Sequence, residues 1–314
     1  MIWWIILGVS VGIALLLFAV TLYCFFRVFY SPKRTPLGPD EYAIPDGEIY
    51  EVHRDQMVEW TRQIRSMQHE CLSIKSFDGL TLRAKYYEYA PGAPLEILFH
   101  GYRGNAERDL CGGVARCFAL GRNALIVNQR ASGDSDGHVI SFGINERRDC
   151  LAWIDFAISH FGADVKIIIT GISMGAATVM MAAAEQLPPN VVCALADCGY
   201  TSAEEIIKKI VAEMKLPPKL VYPFIKLSAR LFGRFDLDET SPLEAMSKAR
   251  IPVIFIHGDA DDFVPYDMSR RLYEACITTK RLVTVHGAGH GLAYPIDRTG
   301  YVDALKSFEI ECGF

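Results

Sequence analysis

Between Ile2 and Phe26 the chain carries no charged side chain. A surface helix of a soluble domain would need a polar face, so this run is excluded from that role. Twenty-five residues at 1.5 Å each are enough to cross a ~30 Å hydrocarbon core with some tilt. Trp3 and Trp4 at one end, with Tyr23 and Tyr30 at the other, suit the two interfaces. No basic residue precedes the run, and bulky Phe25, Phe26 and Phe29 stand where a signal peptide needs small residues for cleavage. The expectation is an uncleaved, single-pass anchor. Arg27, Lys33 and Arg34 follow it, so the positive-inside bias places the carboxyl side in the cytoplasm.

Paired cysteines are also missing. The nine thiols are an odd number, and their spacing forms neither a disulfide framework nor a zinc site, so no metal or cofactor is expected. The net charge is −5 and the basic residues are dispersed, which argues against a nucleic-acid partner. There is no internal repeat and no low-complexity tract. Residues 1–29 therefore read as the transmembrane anchor. Residues 30–70 read as a proline-bearing linker (31–39) followed by a polar juxtamembrane helix near 51–68. Residues 71–314 read as one catalytic domain, of a size that buries a single α/β core.

What is present is a reactive-looking turn. Gly171-Ile172-Ser173-Met174-Gly175 follows the β-branched run 165–170 and precedes a small-residue helix expected near 174–186. A strand, a sharp turn and a helix present a serine Oγ clear of the sheet edge. They also aim the next amide, that of Met174, from a helix N-terminus toward a developing oxyanion. A helix-capping serine is the competing reading.

A base and an acid appear further on. The strand run 251–256 ends in His257-Gly258-Asp259-Ala260-Asp261-Asp262. The next, near 281–285, leads into His286-Gly287-Ala288-Gly289-His290-Gly291. Glycines around His290 free the backbone to place an imidazole. His286, one residue past its strand, reads as structural. His257 and His100 read as packed turn residues, and His53, His69, His138 and His160 have no motif context. Asp259, Asp261 and Asp262 compete for the acid.

With His100-Gly101-Tyr102-Arg103-Gly104-Asn105 and Gln129-Arg130-Ala131-Ser132-Gly133-Asp134-Ser135 added, the chain resembles the α/β-hydrolases of the serine-hydrolase type over roughly 71–314. Within them it is similar to bacterial serine aminopeptidase-like and acyl-esterase-like members, some of them membrane-anchored. The resemblance implies a mostly parallel eight-stranded sheet with helices on both faces and a helical lid over residues 200–247. It implies the triad Ser173, Asp261 and His290, with Asp261 at the acid position of His-Gly-x-x-Asp-x-x-Val-Pro. It places the second oxyanion amide on Tyr102. Ala131 departs from the usual Arg-Gly-x-Gly form of its loop.

The remaining strands are expected at 72–77 and 80–89 (a hairpin turning at Asp78-Gly79), 95–99, 123–128 and 191–196, with helices near 106–120, 144–161, 267–277 and 298–310. The expected activity is cleavage of a carboxylic ester, from a small molecule or a lipid, through an acyl-enzyme. Amide, peptide or lipase chemistry on the same triad is the alternative, and a catalytically silent binding protein is a further one. Glu204 and Glu205 are candidates to hold a peptide's free amino terminus, against the plainer reading of charges at a helix start.

Overall fold

The computed structural model describes residues 1–33 and 37–313. Arg34, counted above behind the apolar run, and Thr35-Pro36 of the expected linker lie outside the described residues.

The first helix, α1 (Ile2–Val28), is apolar around its whole circumference and largely exposed. Thr21, Cys24 and Phe25 are the residues of it that are buried. Two short segments follow, α2 (Glu48–Glu51) and α3 (Arg54–Ser66), where one helix over 51–68 was expected. The hairpin β1 (Glu70–Lys75) and β2 (Thr81–Tyr87) turns through Gly79, whose φ of 87° suits glycine.

Alternation then begins: β3 (Leu95–Phe99), α4 (Ala106–Ala119), β4 (Asn123–Asn128), α5 (Glu146–Phe161), β5 (Ile167–Ile172), α6 (Met174–Ala182) and β6 (Val191–Asp197). The interruption at 200–247 holds α7 (Ala203–Glu213), α8 (Pro218–Ser228), a π-helical turn (Ala229–Gly233) and α9 (Pro242–Met246). The core resumes with β7 (Val253–Gly258), α10 (Tyr266–Ala275), β8 (Lys280–Val285), α11 (Ala293–Ile296) and α12 (Arg298–Cys312).

The eight strands form one sheet in the order β1-β2-β4-β3-β5-β6-β7-β8. The pairs β1–β2 and β2–β4 are antiparallel and the rest parallel. This is the α/β-hydrolase fold. Its central strands are buried on both faces, so their residues split by period two. Ile97, Leu125 and Ile169 join one core with Trp153 of α5 and Val179 of α6. Leu98 and Ile126 join another with Val114 of α4 and Trp60 of α3. Glu96 interrupts that apolar logic. It is fully buried beside Arg116 and Arg122, with Thr170 Oγ1 donating to it at 2.7 Å. Burial would raise its carboxyl, but the two guanidiniums hold it down at about 2.

Strand order reverses between β4-β3 and β3-β5. At such a switch point the loops leaving adjacent strands diverge and open a crevice at their carboxyl ends. The connections concerned are 100–105 after β3 and the turn at Ser173 after β5, so topology alone sets two of the sequence motifs side by side.

Candidate active site

Ser173 lies between β5 and α6 with φ 55° and ψ −115°, a backbone conformation that costs a non-glycine residue energy. The turn is imposed from both sides. A Cβ on Gly171 would collide with the backbone of Gly175, and one on Gly175 with the carbonyl of Phe99. Ser173 N–H is tied to the Asp197 carbonyl at 2.8 Å.

The serine hydroxyl donates to His290 Nε2 at 2.9 Å, and His290 Nδ1–H donates to Asp261 Oδ2 at 2.7 Å. The partners fix these proton positions. Asp261 Oδ1 accepts the amides of Phe263 (3.0 Å) and Val264 (2.8 Å). Its buried Oδ2 accepts a second imidazole: His257 Nε2–H lies 3.1 Å away and is shared with the Val264 carbonyl at 2.9 Å. Ser269 Oγ donates to His257 Nδ1 at 2.6 Å. Burial pushes the Asp261 carboxyl up, but the bonds from His257 and His290 overcome it and hold the group at about 2. The carboxylate thus stays ionised, which suits it to orient and stabilise an imidazolium.

Neither the Tyr102 nor the Met174 amide has a hydrogen-bond partner among the described residues. The loops carrying them touch, since a Cβ on Gly101 would stand 3.5 Å from Ser173 Cβ. The Tyr102 side chain turns elsewhere. Its hydroxyl donates to the Val28 carbonyl at 2.7 Å, and Arg103 Nη2 donates to the carbonyls of Arg27 (2.9 Å) and Tyr30 (3.1 Å). The last carbonyls of a helix lack intrahelical partners. Here the loop after β3 supplies them, so the end of α1 is clasped by the loop beside the serine. Phe29 is fully buried against Phe142 and Phe235, at ring distances of 5.9 and 5.2 Å. Ser31 N–H and Ile140 N–H complete the join, donating to the carbonyls of His138 and Phe29.

A cleft of about 490 Å³ opens beside Ser173 and His290. Tyr102, Phe263, Tyr50, Trp60 and Tyr294 are among the residues that line it. The segment before the first strand therefore builds one wall, and Tyr50 Oη donates to the His290 carbonyl at 2.9 Å. Tyr50 and His257 were not singled out from sequence as parts of this site. The first lies 240 positions from its partner, and the second resembled a turn residue. Cys198 also sits here, its Sγ within 4.8 Å of an Asp261 carboxylate oxygen and a His290 ring nitrogen. Burial pushes that thiol well up, so it is a neutral side chain there.

Some expectations are corrected. His257 belongs to β7 itself rather than to a turn. His286 is an exposed side chain paired with Asp259 at 2.7 Å. Asp259 accepts from Gly287 N–H across the loops at 2.7 Å. Glu204 pairs with Lys208, and Glu205 accepts from Thr201 (2.5 Å) and Arg271 (2.6 Å). Neither lines the cleft. His100 is buried as expected, its Nε2 accepting from Gln129 N–H at 3.1 Å.

The profile described as the prolyl oligopeptidase family matches residues 141–312. The chain is 30% identical to the Bacillus subtilis protein YqkD over 190 residues, which is 60% of this chain and 62% of that protein. It is 23% identical to human alpha/beta hydrolase domain-containing protein 17B over 269 residues, 83% of each. An esterase of Pyrococcus furiosus superposes with a TM-score of 0.64 at 19% identity, covering 86% of this chain and 97% of the other. That likeness concerns the fold. The family match, the sheet order and the strained serine turn agree: the chain belongs to the prolyl oligopeptidase family, within the α/β-hydrolase superfamily of serine hydrolases.

Proposed function

We propose that this protein is a membrane-anchored hydrolase of carboxylic esters that works through Ser173, His290 and Asp261. The observation that carries the reading is the unbroken chain of short hydrogen bonds from Ser173 Oγ through His290 to an ionised Asp261. A serine hydroxyl is a weak nucleophile until a base takes its proton. His290 Nε2 removes that proton as Oγ attacks the ester carbonyl, and Asp261 holds the ring and stabilises the imidazolium. The tetrahedral oxyanion lies between the amides of Tyr102 and Met174. Losing one such donor costs about 10²–10³ in turnover. His290 then protonates the departing alcohol, leaving an acyl-enzyme on Ser173. Water, deprotonated by the same imidazole, releases the acid and restores the serine.

The anchor is α1, which is long and apolar enough to span a bilayer. Arg27 and Lys33 behind it favour a cytoplasmic catalytic domain. Esterase chemistry takes support from the Pyrococcus furiosus esterase that shares the fold. Peptide cleavage is the second reading, favoured by the family description.

The test is fluorophosphonate labelling of the full chain in detergent, beside a folded Ser173→Ala variant. Labelling of the wild type and none of the variant supports an activated nucleophile. No labelling of a folded wild type sinks the hydrolase reading in favour of a binding protein. Turnover of p-nitrophenyl esters against aminoacyl p-nitroanilides then separates ester from peptide chemistry.

A further inference from the structure

The exposed face of the lid helix α8 is apolar where a water-facing helix would be polar. Leu220, Pro223, Leu227 and Leu231 recur at intervals of three, four and four residues, which places them along one helical stripe. Leu220, Leu227 and Leu231 are 68%, 44% and 57% exposed. The opposite face is already packed, with Tyr222, Ile225, Ser228 and Ala229 buried, the apolar ones in a core shared with α1 and α6. An apolar stripe left outside after the inner face is packed marks an interaction surface.

The flanking charge has one sign. From Met214 to Arg234 there are five cations, Lys215, Lys219, Lys226, Arg230 and Arg234, and no carboxylate. Lys226 and Arg230 reach Asp238 and Asp236 beyond the segment. Lys215, Lys219 and Arg234 make no ion pair among the described residues. An apolar stripe bordered by cations is the composition of a helix lying in an anionic lipid interface.

Position identifies the occupant. Phe232, in the π-helical turn after α8, stands 5.7 Å from Phe18 and 5.7 Å from Phe25 of α1. Phe18 precedes Arg27 by nine residues, or about 13 Å along a helix axis. If Arg27 marks the water boundary of the span, the lid surface against Phe18 lies below that boundary. Helix α8, which carries the exposed stripe, then packs against a helix that is itself in lipid.

We infer that the lid, residues 214–234, is a second membrane-binding element: it seats its leucine stripe in the acyl region of an anionic phospholipid leaflet, with its free cations among the headgroups. The inference rests on the reading of α1 as a span. No residue of 200–247 lines the cleft, but Tyr102, which does, holds the end of α1, so the cleft is kept near the same interface and the substrate class it meets is an amphiphilic ester dissolved in the bilayer.

The experiment uses the full chain reconstituted into vesicles of phosphatidylcholine and phosphatidylglycerol, with Cys71 and Cys312 changed to serine. Bimane is placed by Leu220→Cys, Leu231→Cys, Leu16→Cys on α1, or Ile310→Cys on α12, and acyl-chain nitroxide lipids act as quenchers. The expected result is roughly two-fold or greater quenching at 16, 220 and 231, with none at 310. Quenching at 16 without quenching at 220 and 231 overturns the lid inference and leaves the anchor standing. No quenching at any site overturns both. Lid labels shielded from aqueous iodide yet unquenched by lipid assign the face to a protein partner or a second copy, which also overturns it. In a second arm, Leu220→Glu/Leu231→Glu is expected to keep its turnover of a water-soluble ester and lose about ten-fold on the same ester group carried by a vesicle lipid. Equal loss on both substrates overturns the interfacial role. Wild type inactive on the soluble ester signals failure of the esterase reading instead.

Discussion

Asp261 is the residue on which the site's electrostatics turn. Both of its oxygens are engaged, one by two amides and the other by two imidazoles. Its folded value of about 2 lies below the usual carboxylate value, so its contribution to stability is complete above about pH 4. That contribution is lost as pH falls from about 4 through 2, and urea midpoints at pH 7, 4 and 2.5 would measure it. His257→Phe removes one of the imidazole donors. It is expected to move the acid transition upward in pH while the Ser173–His290 bond remains. An unchanged transition would show that His257 does not hold the carboxylate down. Asp261→Asn is expected to lower kcat by about 10⁴ on a soluble ester with little change in fold. Ser173, Asp261 and His290, which the structure joins by hydrogen bonds, were legible as candidates because each sits on a short motif beside a strand. The second imidazole on Asp261 was not, because His257-Gly258 looks like the turn that usually ends a strand.

At the scale of elements, the strands that sequence placed best are those with no polar face. The bounds of β3 and β4 match their apolar runs, although Glu96 sits inside β3, paired where no local pattern reveals it. Strand β7 runs two residues beyond its expected end because backbone pairing with Thr284 and Val285 of β8, not hydropathy, carries His257 and Gly258 into the sheet. Helix α3 was visible as polar and helical, but its task was not. It packs Trp60 over α4, against Gly112, where a Cβ would come within 2.9 Å of the indole. Gly112→Val is therefore expected to cost about 1–3 kcal/mol and to disturb the cleft wall, read as a lower Tm with a raised KM. Tyr50→Phe tests the same wall more gently. Losing the bond to the His290 carbonyl is expected to cost about 1 kcal/mol in kcat/KM at unchanged Tm. No loss would make that tyrosine a bystander.

Across the whole molecule, hydropathy showed the apolar helix, and the motifs showed the sheet. Neither showed that the two are joined. That join runs through Tyr102 and Arg103, whose side chains hold the end of α1 while the Tyr102 amide has no partner among the described residues. Such couplings depend on residues more than seventy positions apart, so no local pattern in the chain carries them. A chain shortened to begin after Phe29 is expected to retain its sheet by circular dichroism and to lose fluorophosphonate labelling by about ten-fold. Full labelling of the shortened chain would show that the clasp is only mechanical. The arrangement has a physiological corollary. On the proposed function, a protease that cut the globular part from α1 would release a hydrolase whose loop after β3 has lost its clasp, so shedding would silence the activity instead of spreading it to soluble substrates.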